Sequence, residues 1–333
     1  MKKRFLILSI ILLTAAVFQI NAATFKMASL LPEGTEWDNA LKKMAGDWRT
    51  ISGGRVKVKI YPGGIAGGEA DVIRKMRIGQ IDMAVLTAVG ITAIVPDTFA
   101  MSMPFMFETE EELDFVVEEI APIFDEAFLE KGFIMLTWSK SGWVNFFSKD
   151  KVVEPRDLMR VKLAGSVTQP ELAEAFKGMG FNVIGVDLPD ALMALQSGMV
   201  DACYTAPMLA ASYQWFGIAD NMLDLKIAPV LGGIVISERS WRKVPDKNKE
   251  EFIQAAVSMS EGFYKEAVRM EEKAIDVMLD NGLIINNQDS GTRDNWRDLL
   301  GEDFSGFVGD GALVSTDSFN KVSSMLEEFR SRQ

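Results

Sequence analysis

The 333-residue chain contains no histidine and a single cysteine, Cys203. Without histidine there is no serine or cysteine triad of the usual kind, no ordinary zinc site, and no side chain that by default exchanges protons near neutral pH. One cysteine excludes an intramolecular disulfide, so the fold rests on its core. Cys203 sits in the apolar phrase VDACYTAP and reads as a packed thiol, not a nucleophile. Positive charge is scarce as well, with 35 Lys and Arg against 47 Asp and Glu. Such a surface repels nucleic acid and anionic lipid, and neither is expected as a partner. The glycine cluster GGIAGG has neither the G-x-G-x-x-G spacing nor the G-K-(S/T) ending of a phosphate loop, and DVMLDNG lacks the acidic ladder of a calcium loop. No metal and no cofactor is expected.

A long apolar run occurs at the amino terminus, from Phe5 to Phe18. At about 14 residues it is short of the roughly 20 that span a bilayer. Lys2, Lys3 and Arg4 precede it and the small residues Ala22 and Ala23 follow. Residues 1–22 therefore read as a secretory signal cleaved near Ala22 or Ala23, and the protein is expected in the periplasm. Cleavage leaves 32 basic against 47 acidic side chains, a net charge near −15.

The rest is globular in composition, 48% hydrophobic and 25% charged, and long enough for two cores. Two phrases echo each other, GQIDMAV at Gly79–Val85 and GMVDACY at Gly198–Tyr204. Each follows a helical pattern (GEADVIRKMRIGQ, DLPDALMALQSG), stops at a glycine, and runs through a buried strand into Thr-Ala. Strand, helix, strand in that order implies parallel pairing, so each phrase marks an α/β lobe. The predicted fold class is α/β, in two lobes that face each other across a cleft. The expected first lobe is 24–147 plus about 230–262, and the second 148–229 plus about 263–331. A helix over 247–280 spans both, with Phe252, Ala256, Met259, Phe263, Ala267, Met270, Ala274 and Val277 as its apolar face.

Ligands of open α/β sheets bind beyond the carboxyl ends of the strands. The echoed strands end there at Thr87-Ala88 and Thr205-Ala206, while Asp82 and Asp201 read as local capping groups at the strand starts. Turns expected on the same face add Glu33, Thr35 and Trp37 from LPEGTEW, and Trp138, Lys140 and Trp143 from WSKSGW. Ala164, Gly165, Tyr204 and Met208 complete the candidate set from LAGSV and YTAPM. The cleft so assembled is aromatic and apolar.

These phrases, with SGGRVKVKIYPGG, MPFMF and the long helix, resemble the DctP-type solute-binding proteins of tripartite ATP-independent periplasmic (TRAP) transporters over essentially the whole mature chain. The resemblance implies the periplasmic binding (flytrap) fold, two lobes joined by hinge strands and closing on a ligand, with delivery to a small and a large integral membrane subunit and no catalysis. It also implies an arginine binding a substrate carboxylate, at a position that falls on Lys162 in RVKLAGS, and a second arginine at Val144. Neither is kept. In this the chain is similar to the subgroup associated with a tetratricopeptide-repeat partner, and a neutral or largely apolar small-molecule ligand is expected. The competing expectations are a periplasmic sensor or chaperone for lipids or other hydrophobic molecules, and an exported enzyme working through carboxylates such as Glu33 or Asp187.

Overall fold

The computed structural model describes residues 23–301 and 304–332, so the proposed signal segment lies outside the described residues. Alternation of apolar and charged residues produces β1 (Ala23–Ala28) and β2 (Val56–Tyr61), paired in parallel around the helix Glu36–Ile51. Beside β1 runs β3 (Met83–Thr87), the first echoed strand, also parallel. The first sheet is completed by β4 (Phe133–Trp143) and a strand from later in the chain, β10 (Pro229–Ser237), in the order β2-β1-β3-β10-β4, with β10 antiparallel to both neighbours.

The second sheet has the order β11-β9-β5-β8-β6-β7. Its strands are β5 (Asn145–Ser148), β6 (Lys162–Gly165), β7 (Asn182–Gly185), β8 (Ala202–Thr205), β9 (Asn221–Leu223) and β11 (Ile284–Asn286). The echo is exact in hydrogen bonding at the start of each strand. Asp82 accepts the Lys26 N–H through Oδ2 at 2.9 Å, and Asp201 accepts the Lys162 N–H the same way at 3.2 Å. In return the Asp82 and Asp201 N–H groups donate to the carbonyls of Lys26 and Lys162. Gly79 and Gly198 stop the preceding segments in the left-handed region, φ 75° and 72°, which only glycine enters cheaply.

Three connections join the sheets. Val144 links β4 to β5, the segment Asp224–Ala228 links β9 to β10, and these two are bonded to each other: the Val144 N–H donates to Ala228 (2.8 Å) and the Ile227 N–H to Val144 (3.1 Å). The third is the helix Asp246–Asp280, 35 residues, which packs on the first lobe before leading into β11 of the second. Phe252, Ala256, Phe263 and Ala267 are buried as the periodicity predicts, but Val277 is 45% exposed and Met278 takes its place at 0%. Eleven residues make just over three whole turns from Ala267, whereas ten fall about 80° short. The lobe boundary differs from expectation in two places. It falls at Val144, since β5 already belongs to the second sheet. The last helix, Thr316–Ser331, lies against the first-lobe helix Glu110–Glu130, where the Arg330 Nε donates to Glu112 at 2.7 Å. The sequence shows only an amphipathic segment there and cannot say which lobe its apolar face meets.

Candidate functional site

Between the lobes lies a cavity of about 170 Å³. The echoed strand ends deliver Thr87 and Ala88 from the first lobe and Tyr204 and Thr205 from the second to its wall. Val144 from the hinge and Ala164 from β6 also line it, and Leu30, Phe99, Phe146, Leu172, Phe176 and Trp215 supply much of the apolar surface. Among the described residues its ionisable side chains are Glu69, Asp187, Cys203 and Tyr204, and none is Lys or Arg. Burial pushes the Cys203 thiol up to about 12, which keeps it protonated and inert. Burial does the same to the Tyr204 hydroxyl, whose ring stands edge-on to Phe146 at 6.0 Å.

Glu69 opens the helix Glu69–Arg77. Its two carboxyl oxygens take the Thr87 main-chain N–H at 2.6 Å and the Thr87 hydroxyl at 2.8 Å. Gly90 makes room for it, since a Cβ there would stand 2.6 Å from the Glu69 Oε1. Burial, aided by the charge of Asp187, raises the Glu69 carboxyl from 4.5 to about 7 against the lowering effect of the Thr87 donors. Asp187 comes from the other lobe and accepts the hydroxyls of Ser166 (2.9 Å) and Thr168 (3.4 Å). The lobes meet beside it. Pro189 lies against Gly64, and the Tyr213 hydroxyl donates to the carbonyl of Leu30.

The remaining sequence candidates lie away from this cavity. Glu33 is exposed and pairs with Lys42 at 3.4 Å. Thr35 caps the helix Glu36–Ile51, and Trp37 stacks on Phe263 of the long helix at 3.7 Å. Trp138 packs on Phe124 and Phe128 and donates to Asp125 at 3.0 Å. Lys140 pairs with Asp114 and lies 3.6 Å over the Tyr264 ring, its ammonium pulled down to about 8 by burial. Trp143 is buried and donates to Glu110 at 2.6 Å. Lys162 begins β6, the end remote from the strand termini that meet the cavity, and pairs with Asp201 at 3.6 Å. It is the counterpart of Lys26, and the position of β6 that lines the cavity is Ala164, two residues on. Arg160 is exposed at the end of the helix Pro155–Met159. Gly165 abuts Val183, Ala206 caps the helix Pro207–Ser212, and Met208 packs toward the first lobe's core. Glu69 was not among the sequence candidates, because a glutamate in the first turn of a helix ordinarily serves the helix dipole. Phe146 and Phe176 were hidden by reading as plain strand and helix core.

Two α/β lobes with two bonded crossovers and a buried cleft between them define a solute-binding architecture. Solved structures share it. A periplasmic solute-binding protein of a Bradyrhizobium species, in complex with galacturonate, has a TM-score of 0.82 at 21% identity over 93% of this chain and 100% of that one. One from a Polaromonas species bound to D-erythronate has a TM-score of 0.82 at 18% identity, covering 91% and 98%. Among curated proteins, a solute-binding protein of Chromohalobacter salexigens is 24% identical over 75% of each chain, and one of Roseobacter denitrificans 22% over 76% and 77%. The family model for DctP, bacterial extracellular solute-binding protein family 7, matches residues 27–307, and the chain belongs to that family. It is a family of transport binding proteins, not of enzymes. Among the described residues no helix is long and apolar enough to cross a membrane.

Proposed function

We propose that this protein is the periplasmic solute-binding component of a TRAP-type importer, exported by the segment 1–22 and handing its solute to the small and large membrane subunits. The family and the shared fold support that role. The solute is small and neutral or largely apolar. One observation carries this: the wall of the cleft is mostly apolar, holds the carboxyl groups of Glu69 and Asp187, and has no cation among the described residues. A carboxylate buried there without a partner costs roughly several kcal/mol. The structural relatives named above hold sugar acids, so the departure lies in this chain's own residues, with Val144 on the cavity wall at one position where the resemblance implies an arginine and Lys162, at the other, away from it. Ligand binding favours closure by its greater affinity for the closed form, which the membrane subunits then read. A tetratricopeptide-repeat partner belongs to the same proposal through the resemblance to that subgroup.

Native mass spectrometry of protein purified without denaturation tests the reading. A co-purifying solute of low polarity, lost on unfolding, is expected, together with compaction in small-angle scattering when it is restored. A sugar acid in the cleft refutes the apolar assignment. Absence of any compaction with the native solute refutes the closing mechanism.

A further inference from the structure

The apolar cleft has one polar pole, and it is acidic. Glu69 is 5% exposed, and Thr87 occupies two acceptor positions on its carboxyl group, one on each oxygen. A carboxylate offers about four such positions, and with the Gly90 N–H also engaging it about one is left for a ligand. Asp187 spends one oxygen on Ser166 and Thr168, and its other oxygen lies 2.7 Å from where a Cβ on Gly68 would stand. Closure thus brings it against the residue next to Glu69. Tyr213, also from the second lobe, feels Glu69 as well, and burial keeps its hydroxyl protonated and donating to the Leu30 carbonyl. On the same wall Gln169 is 3% exposed, and its Nε2 has no acceptor among the described residues.

We infer that the cleft selects an apolar molecule bearing one uncharged head group that both donates and accepts a hydrogen bond, a hydroxyl or a carboxamide. Glu69 is the residue that takes its hydrogen and turns away a carboxylate. This rests on the reading of the solute as largely apolar and adds the chemistry of its polar end. A hydroxyl gives its hydrogen to Glu69 and keeps a lone pair for the Gln169 amide. A carboxylate has no hydrogen to give and meets two groups of its own sign. Because Glu69 and Asp187 belong to different lobes, a donor seated between them offsets the repulsion that closure brings, so the head group itself favours the closed form.

The test uses protein stripped of co-purifying solute and three eight-carbon probes: octan-1-ol, its isomer 1-methoxyheptane, which has the same atoms but no donor, and octanoate. Calorimetry at about pH 8 is expected to show the alcohol binding at least about tenfold more tightly than either of the others, the factor that one hydrogen bond to a charged group supplies. Glu69→Gln abolishes most of the preference over the ether, with cooperative unfolding showing that the variant is folded. Asp187→Asn, which leaves the Thr87 contacts alone, improves octanoate binding. Equal affinity for alcohol and ether overturns the inference and leaves the apolar reading standing, whereas octanoate as the tightest probe overturns the inference together with the argument that the wall excludes a carboxylate. A preference unchanged in Glu69→Gln overturns the role of that residue. Binding of none of the three, with galacturonate bound instead, overturns both readings.

Discussion

Replacing Glu69 by glutamine makes the protein more stable at alkaline pH relative to the wild type than it does at acid pH, although it alters a buried, hydrogen-bonded group. In the native protein burial and Asp187 hold this carboxyl up at about 7, against an ordinary value of 4.5. Between those values the folded state keeps a proton that the unfolded chain has released. The stabilisation is therefore full below about pH 4.5 and is lost as pH rises through 7. A displacement of this size corresponds to about 3 kcal/mol in all, most of which falls between pH 5 and pH 8. Glutamine cannot titrate. Its carbonyl still accepts the Thr87 N–H, and the Thr87 hydroxyl turns to accept from its amide. Urea unfolding of both proteins across that range measures the difference in stability, in which all other titrating groups cancel. The variant should gain on the wild type by about 2–3 kcal/mol from acid to alkaline pH. A difference that stays constant with pH refutes the argument, because it means that the carboxyl group holds the same charge folded and unfolded.

Gly90→Ala is expected to destabilise by about 1–2 kcal/mol despite alanine's better helix propensity, because the new methyl displaces the Glu69 carboxyl from Thr87; a gain in thermal stability refutes this. Lys162→Met leaves affinity for the native solute unchanged and costs at most about 1 kcal/mol of stability, since its partly exposed pair with Asp201 lies away from the cavity; a large loss of affinity by calorimetry returns Lys162 to the ligand. Tyr213→Phe removes the hydrogen bond to Leu30 that joins the lobes and lowers the closed-to-open ratio about fivefold, read from small-angle scattering; an unchanged profile shows that other contacts hold the lobes together.

Most of the scaffold was legible because it is written in local patterns. The repeated Gly-x-(Ile/Val)-Asp step appears as two helix stops and two strands with the same main-chain bonds to Asp82 and Asp201. Periodicity located the long helix to within a residue at its start, and it failed at Val277 only because the apolar stripe drifts over ten residues. The strand ends Thr87, Ala88 and Thr205 came from a rule about where parallel strands point, and they line the cavity, whereas Ala206 from the same rule does not. The aromatic turns did not. Trp37, Trp138 and Trp143 each found a partner elsewhere on the first lobe, its hinge or the long helix, and no local signal distinguishes an indole that packs on a helix from one that faces a cleft.

Lys162 and Ala164 show the limit most plainly. They are two residues apart on one strand and so point to the same side; the carboxyl-end rule favours Ala164, but the sequence does not say where the strand begins. Pairing decides it: the hydrogen bonds of Lys162 with Asp201 anchor it at the start of β6, and Ala164 is carried forward to the cavity wall. Composition and hydrophobic period alone determine a cation-poor, acidic, two-lobed α/β protein without histidine chemistry, because these depend only on residue counts and spacing. That Glu69 and Asp187 face one cavity from opposite lobes was decided by the fold. Residues 118 positions apart meet only when two hinge segments and a long helix set one sheet against the other.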